Sequence, residues 1–469
     1  MSHSNTYTRA LGLGLLAGGL LAGQDFTGRF AEIRDQATPA QLYSFLYALP
    51  KGGDLHHHAA LSVYAHTALN IALKQGVHGY RFYVRTSFHD CGDNDNGAAI
   101  LYQNIGMGAY RKLSPCRQTD FTPLDELSEL QKQSWMSAVI IDRPWETRNE
   151  FFEEIVPRLA AIHRDPYFFA DSFAENLKLF GREGVRYIEA QWTPVVMERP
   201  DGTLIPPDEV IAIFKKRMAE PDVVAIGVAY RFQTTVIRFR EDLERQVAFQ
   251  HEFIDKHRDL FVGINAAGRE DNDKGYALRM LNSLREGRRK YSGIQLSIHA
   301  GEKSSPGHEV RDTLLLGASR IGHGINLISD PDTMLLMRGN RYLVEVNLIS
   351  NRMLDFVPDL TTHPFAEYLR FGIPVCLNTD DRGSWDSNMT DEYMHAVKPF
   401  RLTWDEVKTI GRNSLIYSFA PEDLKRQMLA SYDREIAGFE QRFLAGGWAE
   451  EVAKVKPDVS GYAKRNLLP

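Results

Sequence analysis

Short apolar, β-branched runs alternate with longer amphipathic stretches along most of the chain. The short runs read as strands because they hold only a few residues and are bounded by Gly, Pro, Asn or charged residues. They fall at Gly53–His58, Val185–Gln191, Val223–Tyr230, Leu260–Asn265, Gly293–His299, Arg320–His323, Tyr342–Val346 and Pro374–Thr379. Between them, Asp171–Phe180, Asp242–His257, Tyr276–Tyr291 and Glu309–Ala318 repeat apolar positions at helical spacing. Eight strands alternating with helices over about 330 residues predict an α/β fold, a (β/α)8 TIM-type barrel. A doubly wound open sheet is the competitor, but no G-x-G-x-x-G follows the first strand.

The rhythm breaks once. About 125 residues separate the first two strands, where one helix and its loops need far fewer. Residues 86–122 of this interval, with SFHDCGDNDNG, QNIGMG and KLSPCRQTDF, read as a loop-rich insertion over one end of the barrel. The tail is helical: Thr403 and Glu406 form a capping box, and Pro421 opens another helix. At the other end, Ala10–Gly23 is a small-residue apolar run behind Arg9. It is too short for a membrane span and is flanked like a secretory leader, so residues 1–23 are expected to be a signal peptide and 24–469 one barrel domain. Export to the periplasm or medium follows as an expectation, with no membrane attachment after processing.

Composition adds exclusions. The net charge of −6 does not suit a nucleic-acid binder. The three cysteines, Cys91, Cys116 and Cys376, form no C-x-x-C, so a metal site has to use His and carboxylate. In an oxidising compartment Cys91 and Cys116 can pair; in the cytoplasm they stay thiols.

The groups able to carry chemistry fall at the C-terminal ends of predicted strands, the rim where barrel active sites form. His56 and His58 close the first strand, His299 the fifth (SIHAGE), His323 the sixth (RIGHGIN), and Asp380 and Asp381 the eighth (CLNTDDRG). Alternation sends His56 and His58 into the barrel mouth and His57 outward. With His299 and Asp380 they make an N3O set suited to Zn2+, which lowers the pKa of a bound water to about 7. Taken singly, each motif is an ordinary loop or capping feature; their coincidence on one rim predicts a mononuclear metal site.

DLHHH, SIHAGE, RIGHGIN and CLNTDD, in that order, resemble the signature blocks of the adenosine deaminase family of amidohydrolases. PKGGDLHHH is most similar to its secreted growth-factor-related branch, which also has an insertion after the first strand. The resemblance implies that His56, His58, His299 and Asp380 bind one zinc ion. It implies that Glu302 protonates purine N1 and that His323 orients the attacking water, accepts its proton and steadies the developing charge. Asp381 would hydrogen-bond purine N7, and the Gly268 N–H, in INAAGRED, would approach N3. The implied reaction turns adenosine, or a related aminopurine nucleoside, into the 6-oxo purine and ammonia.

Two positions depart from the family pattern. Ala60 stands where an acidic residue usually meets the ribose 5′-hydroxyl, and Arg382 replaces the proline after the aspartate pair. Arg382 is expected to be a surface arginine paired with an acid such as Asp386; the alternative is that it faces an anionic substrate. Rival functions are deamination of a modified adenine compound, another amidohydrolase reaction, and an extracellular growth-factor-like binding protein. The carboxylated-lysine type of amidohydrolase is disfavoured because INAAG holds no lysine. A small-molecule purine nucleoside is the expected partner, and either a monomer or a homodimer fits.

Overall fold

Eight parallel strands stand side by side in the order β1-β5-β6-β7-β8-β9-β10-β11. The computed structural model describes residues 16–92, 99–270, 274–303 and 305–468, with side chains from Phe26 onward. The strands are β1 (Gly52–His58), β5 (Val185–Gln191), β6 (Ala229–Ile237), β7 (Phe261–Ala267), β8 (Gln295–Ala300), β9 (Arg320–His323), β10 (Leu343–Val346) and β11 (Val375–Leu377). The remaining three, β2 (Phe82–Arg85), β3 (Asn104–Gly106) and β4 (Phe121–Pro123), form a separate antiparallel sheet. The eight strands nearly close a TIM-type barrel with helices outside, as the alternation predicts.

Closure occurs at the functional rim. The chain beyond β11 meets β1 by a parallel bridge between His57 and Asp380. The Asp380 N–H donates to the His56 carbonyl at 3.0 Å, and the His58 N–H to the Asp380 carbonyl at 3.2 Å. The seam of the barrel is therefore held by the residues expected to hold a metal.

The third predicted strand is displaced. Pro221–Val224 is a helical turn, and β6 runs over Ala229–Ile237. It buries polar residues on both faces, Gln233 toward the barrel interior and Thr234 next to it, so the strand lacks the apolar signature, while the apolar VVAIGV run before it supplied a false one. The interval between β1 and β5 is more ordered than a loop-rich insertion. Its small sheet begins at Phe82, ahead of the expected bounds, and packs on its own core around Trp135, Phe82 and Phe168. Cys91 and Cys116 are joined there by a disulfide.

The C-terminal helices lock β1 in place. The helix Trp404–Ile416 starts with the expected Thr403/Glu406 capping box, and the Gly53 N–H donates to Ser414 Oγ at 2.7 Å. Among the described residues no helix is long and apolar enough to cross a membrane. The expected leader, residues 1–23, lies mostly outside the described residues; a helix begins at Leu16.

Candidate active site at the barrel mouth

His56 and His58 leave β1 on the same face, into the barrel mouth, and His57 turns the other way with its ring 5.0 Å from that of Phe180. The nitrogens of His56, His58 and His299 lie within 4.8 Å of one another, as do the groups His56/His323/Asp380 and His58/Asp380/Asp381. Thus all four predicted ligands, together with His323 and Asp381, share one small volume.

Hydrogen bonds behind the imidazoles decide which nitrogens face inward as lone pairs. His56 Nδ1 lies 2.9 Å from Glu345 Oε2, and His299 Nδ1 lies 3.1 Å from Asn265 Oδ1. Both acceptors require the proton on Nδ1, which leaves Nε2 bare on each ring. Those two bare nitrogens are 3.1 Å apart. Asp380 Oδ1, 3.1 Å from His58 Nε2 and 3.6 Å from His56 Nε2, is buried without a hydrogen bond of good geometry. Two lone pairs and a carboxylate oxygen converging out of water repel one another unless a cation lies between them. The donor set therefore fits a divalent metal ion.

The electrostatics agree. Burial, reinforced by neighbouring imidazoles, holds His299 and His323 far below the usual histidine range. Burial opposes charging His58 too, but the Asp381 and Asp380 carboxylates beside it raise it to about 9. Burial and the adjacent Asp380 push Asp381 well above the carboxylate range. The Asp380 carboxylate, held ionised by the imidazoles around it, thus draws positive charge to this point.

Glu302 stands opposite, with Oε1 3.5 Å from His323 Nε2. Burial, with Asp380 and Glu270 nearby, raises its pKa well above the usual value, which favours the protonated acid. Its backbone is held by Glu270, whose Oε2 accepts the N–H groups of Gly301 (2.9 Å) and Glu302 (3.2 Å). Glu270 is clamped in turn by Arg238 at 3.0 Å.

His323 is oriented by a relay anchored on the main chain. The Phe365 N–H donates to His363 Nδ1 (3.2 Å), so His363 carries its proton on Nε2 and donates it to Asn351 Oδ1 (3.0 Å). The Asn351 amide then points its N–H at His323 Nδ1, 3.0 Å away. Neutral His323 consequently bears its proton on Nε2, the nitrogen facing Glu302. This tautomer can donate to an oxygen in the site but has no lone pair there with which to take a proton.

Backbone strain concentrates at the same place. His323 (φ 65°) and Asp380 (φ 53°) occupy the left-handed region without being glycine. Gly322 is needed because a Cβ there would meet His56 Cε1 at 2.7 Å. Gly268, at the rim after β7, has φ 103°, and a Cβ would strike the Phe239 ring.

Arg382 differs from both readings of the sequence. It is fully buried, donates to Glu183 Oε1 (2.7 Å) and Tyr64 Oη (2.9 Å), and lies over the Phe180 ring. Asp386 pairs with Arg465 instead. The residue is neither on the surface nor turned toward the mouth; it ties the turn after β11 to the end of the helix Pro166–Arg182. Asn265, Glu270, Glu345, Asn351 and His363 were not singled out from sequence. Two of them carried a signal: Glu345 and Asn265 are polar residues inside apolar strands, YLVEV and VGINAA.

The family model for adenosine deaminase matches residues 150–434. The chain belongs to the adenosine deaminase family. Adenosine deaminase of Enterococcus faecalis is 30% identical over 295 residues, 61% of this chain and 80% of that protein. Two solved structures share the fold. An amidohydrolase from Burkholderia ambifaria, with bound Zn, has a TM-score of 0.63 at 19% identity, covering 86% of this chain and 95% of its own. Arabidopsis ADAL complexed with GMP has a TM-score of 0.59 at 19% identity, covering 83% and 99%. As an adenosine deaminase family member the chain is a hydrolytic deaminase.

Proposed function

We propose that the chain deaminates adenosine or a closely related aminopurine nucleoside, giving the 6-oxo purine and ammonia, with one Zn2+ held by His56, His58, His299 and Asp380. The observation that carries this is the convergence of bare imidazole nitrogens and an unbonded Asp380 oxygen beside the buried Glu302 carboxyl, whose pKa burial raises. A metal ion in that donor set supplies an activated water as nucleophile.

The chain's own groups do the rest. Glu302 gives its proton to purine N1, which draws electrons from C6 and opens it to attack; as the C6–O bond forms, one proton of the water returns to the Glu302 carboxylate and the other passes to the amino group, so that the C6–N bond breaks and ammonia leaves. The Nε2–H of His323 points at the oxygen that adds to C6 and steadies its negative charge; this narrows the role expected from sequence, which included taking up a proton. Asp381 is assigned to purine N7 and the Gly268 N–H to N3. Export, and kinship with the secreted branch, are supported by the Ala10–Gly23 run and the Cys91–Cys116 bridge.

Glu302→Gln tests the assignment. The amide keeps the shape but has no acidic proton, so adenosine turnover should fall about 1,000-fold while zinc stays bound by elemental analysis. Turnover within tenfold of the unmodified protein would refute the mechanism, and would leave the growth-factor-like alternative to be tested by binding.

A further inference from the structure

The middle histidine of the run has no part in the chemistry so far. His57 is turned away from the barrel mouth and is fully buried, as are Asp54, Ser62 and Thr379 around it. Its Nδ1 lies 3.1 Å from Ser62 Oγ and 3.3 Å from Thr379 Oγ1. Its Nε2 has no partner among the described residues, so the hydrogen bonding of the ring runs through Nδ1.

The two hydroxyls decide the direction of those bonds, because each has a single proton to give. That of Thr379 goes to Asp54 Oδ2 at 2.6 Å, and that of Ser62 to the His58 carbonyl at 2.6 Å. Both oxygens therefore turn lone pairs toward the ring, and Nδ1 bears a proton shared between them.

What this group holds is the main chain of the barrel seam. Ser62 Oγ, besides gripping the His58 carbonyl, lies 3.4 Å from the carbonyl of Asp380. Asp54 accepts the N–H of Thr379 on Oδ2 and the N–H of His56 on Oδ1, both at 3.2 Å. Asp380 stands among these contacts at φ 53°. A non-glycine residue is strained there and keeps that conformation only where its surroundings over-determine it. The imidazole is the crosspiece, since it ties Thr379, immediately before Asp380, to Ser62.

We propose that His57 is a positioning residue for Asp380: its Nδ1–H clamps Thr379 to Ser62 and so holds the strained turn in register with His56 and His58. The proposal rests on the ligand set named above and gives the third histidine a part in metal affinity.

Two substitutions separate the hydrogen bond from packing. His57→Asn keeps an N–H near the place of Nδ1 but gives up much of the contact with the Phe180 ring, whose centroid lies 5.0 Å away. His57→Leu keeps an apolar body there and has no donor. In competition with a chelator, His57→Leu should bind zinc about 10- to 100-fold more weakly than the unmodified protein, the range expected when a partner behind a metal ligand is lost. His57→Asn should bind it about fivefold or more tighter than His57→Leu. In the metal-free proteins the Asp380 amide hydrogen should exchange faster in His57→Leu than in His57→Asn. Ser62→Ala cuts the same tie from its other end and leaves the ring in place, so it stands in if His57→Leu does not fold; it too should weaken zinc about tenfold or more. Zinc held as tightly by His57→Leu or Ser62→Ala as by the unmodified protein, or no more tightly by His57→Asn than by His57→Leu, would overturn the positioning role and leave the ligand set standing. No zinc uptake by the unmodified protein would remove the ligand set, and the positioning role with it.

Discussion

A single proton position at His323 shows how far from the reacting atoms its control lies. The main-chain N–H of Phe365 cannot be anything but a donor, and that fact propagates through His363 and Asn351 to the ring in the site. Burial holds His363 at about 3, so it carries one proton at any working pH. Asn351→Asp keeps the shape but replaces the donating amide with an acceptor, which pulls the His323 proton to Nδ1. We expect kcat to fall about 100-fold with KM changed less than threefold, since a misplaced tautomer damages the transition state more than binding. Nitrogen-15 shifts of the ring should move from Nε2–H to Nδ1–H; an unchanged tautomer in the variant would disprove the relay.

Among elements, the turn from β11 into the helix Arg382–Trp385 carries two loads. Asp380 and Asp381 face the mouth, while the next residue, Arg382, faces outward and grips Glu183. The Glu183 carboxylate also accepts the Thr390 N–H at 3.3 Å, so three elements meet at one buried ion pair. Removing only the cation leaves an uncompensated buried carboxylate, which costs about 3–5 kcal/mol. Arg382→Met should therefore lose about that much stability in urea unfolding. Adding Glu183→Gln should restore more than half of the loss. Full stability in the single variant would show that the pair holds nothing. An unaltered KM for the nucleoside in soluble single variant is expected, because the guanidinium does not reach the mouth.

For the whole molecule, the metal site and the barrel seam coincide. The ring of strands is completed where the main chain of His56 and His58 meets Asp380, so an ion bound by these residues braces the fold as well as the chemistry. Removal of metal by a chelator should lower the thermal midpoint by about 4 °C relative to free zinc at about 1,000 times Kd, and returning zinc should restore it. A midpoint indifferent to zinc would contradict the ligand assignment.

Much of this was legible in the chain because local rules apply to it. Alternation places His56 and His58 on one face, strand-length apolar runs reveal seven of the eight barrel strands, and capping chemistry marks the last helices. The strand missed, β6, buries polar side chains on both faces, and hydropathy does not register a residue whose polar partners are remote in sequence. Arg382 was misread for the same reason, since its carboxylate lies 199 residues away. The kinds of groups at the site and the strands that carry them were determined by the sequence alone. Which nitrogen keeps its proton, where the barrel seam closes and which polar atoms are left for a ligand were decided only by the tertiary structure, because each depends on distant groups that meet nowhere but in the folded chain.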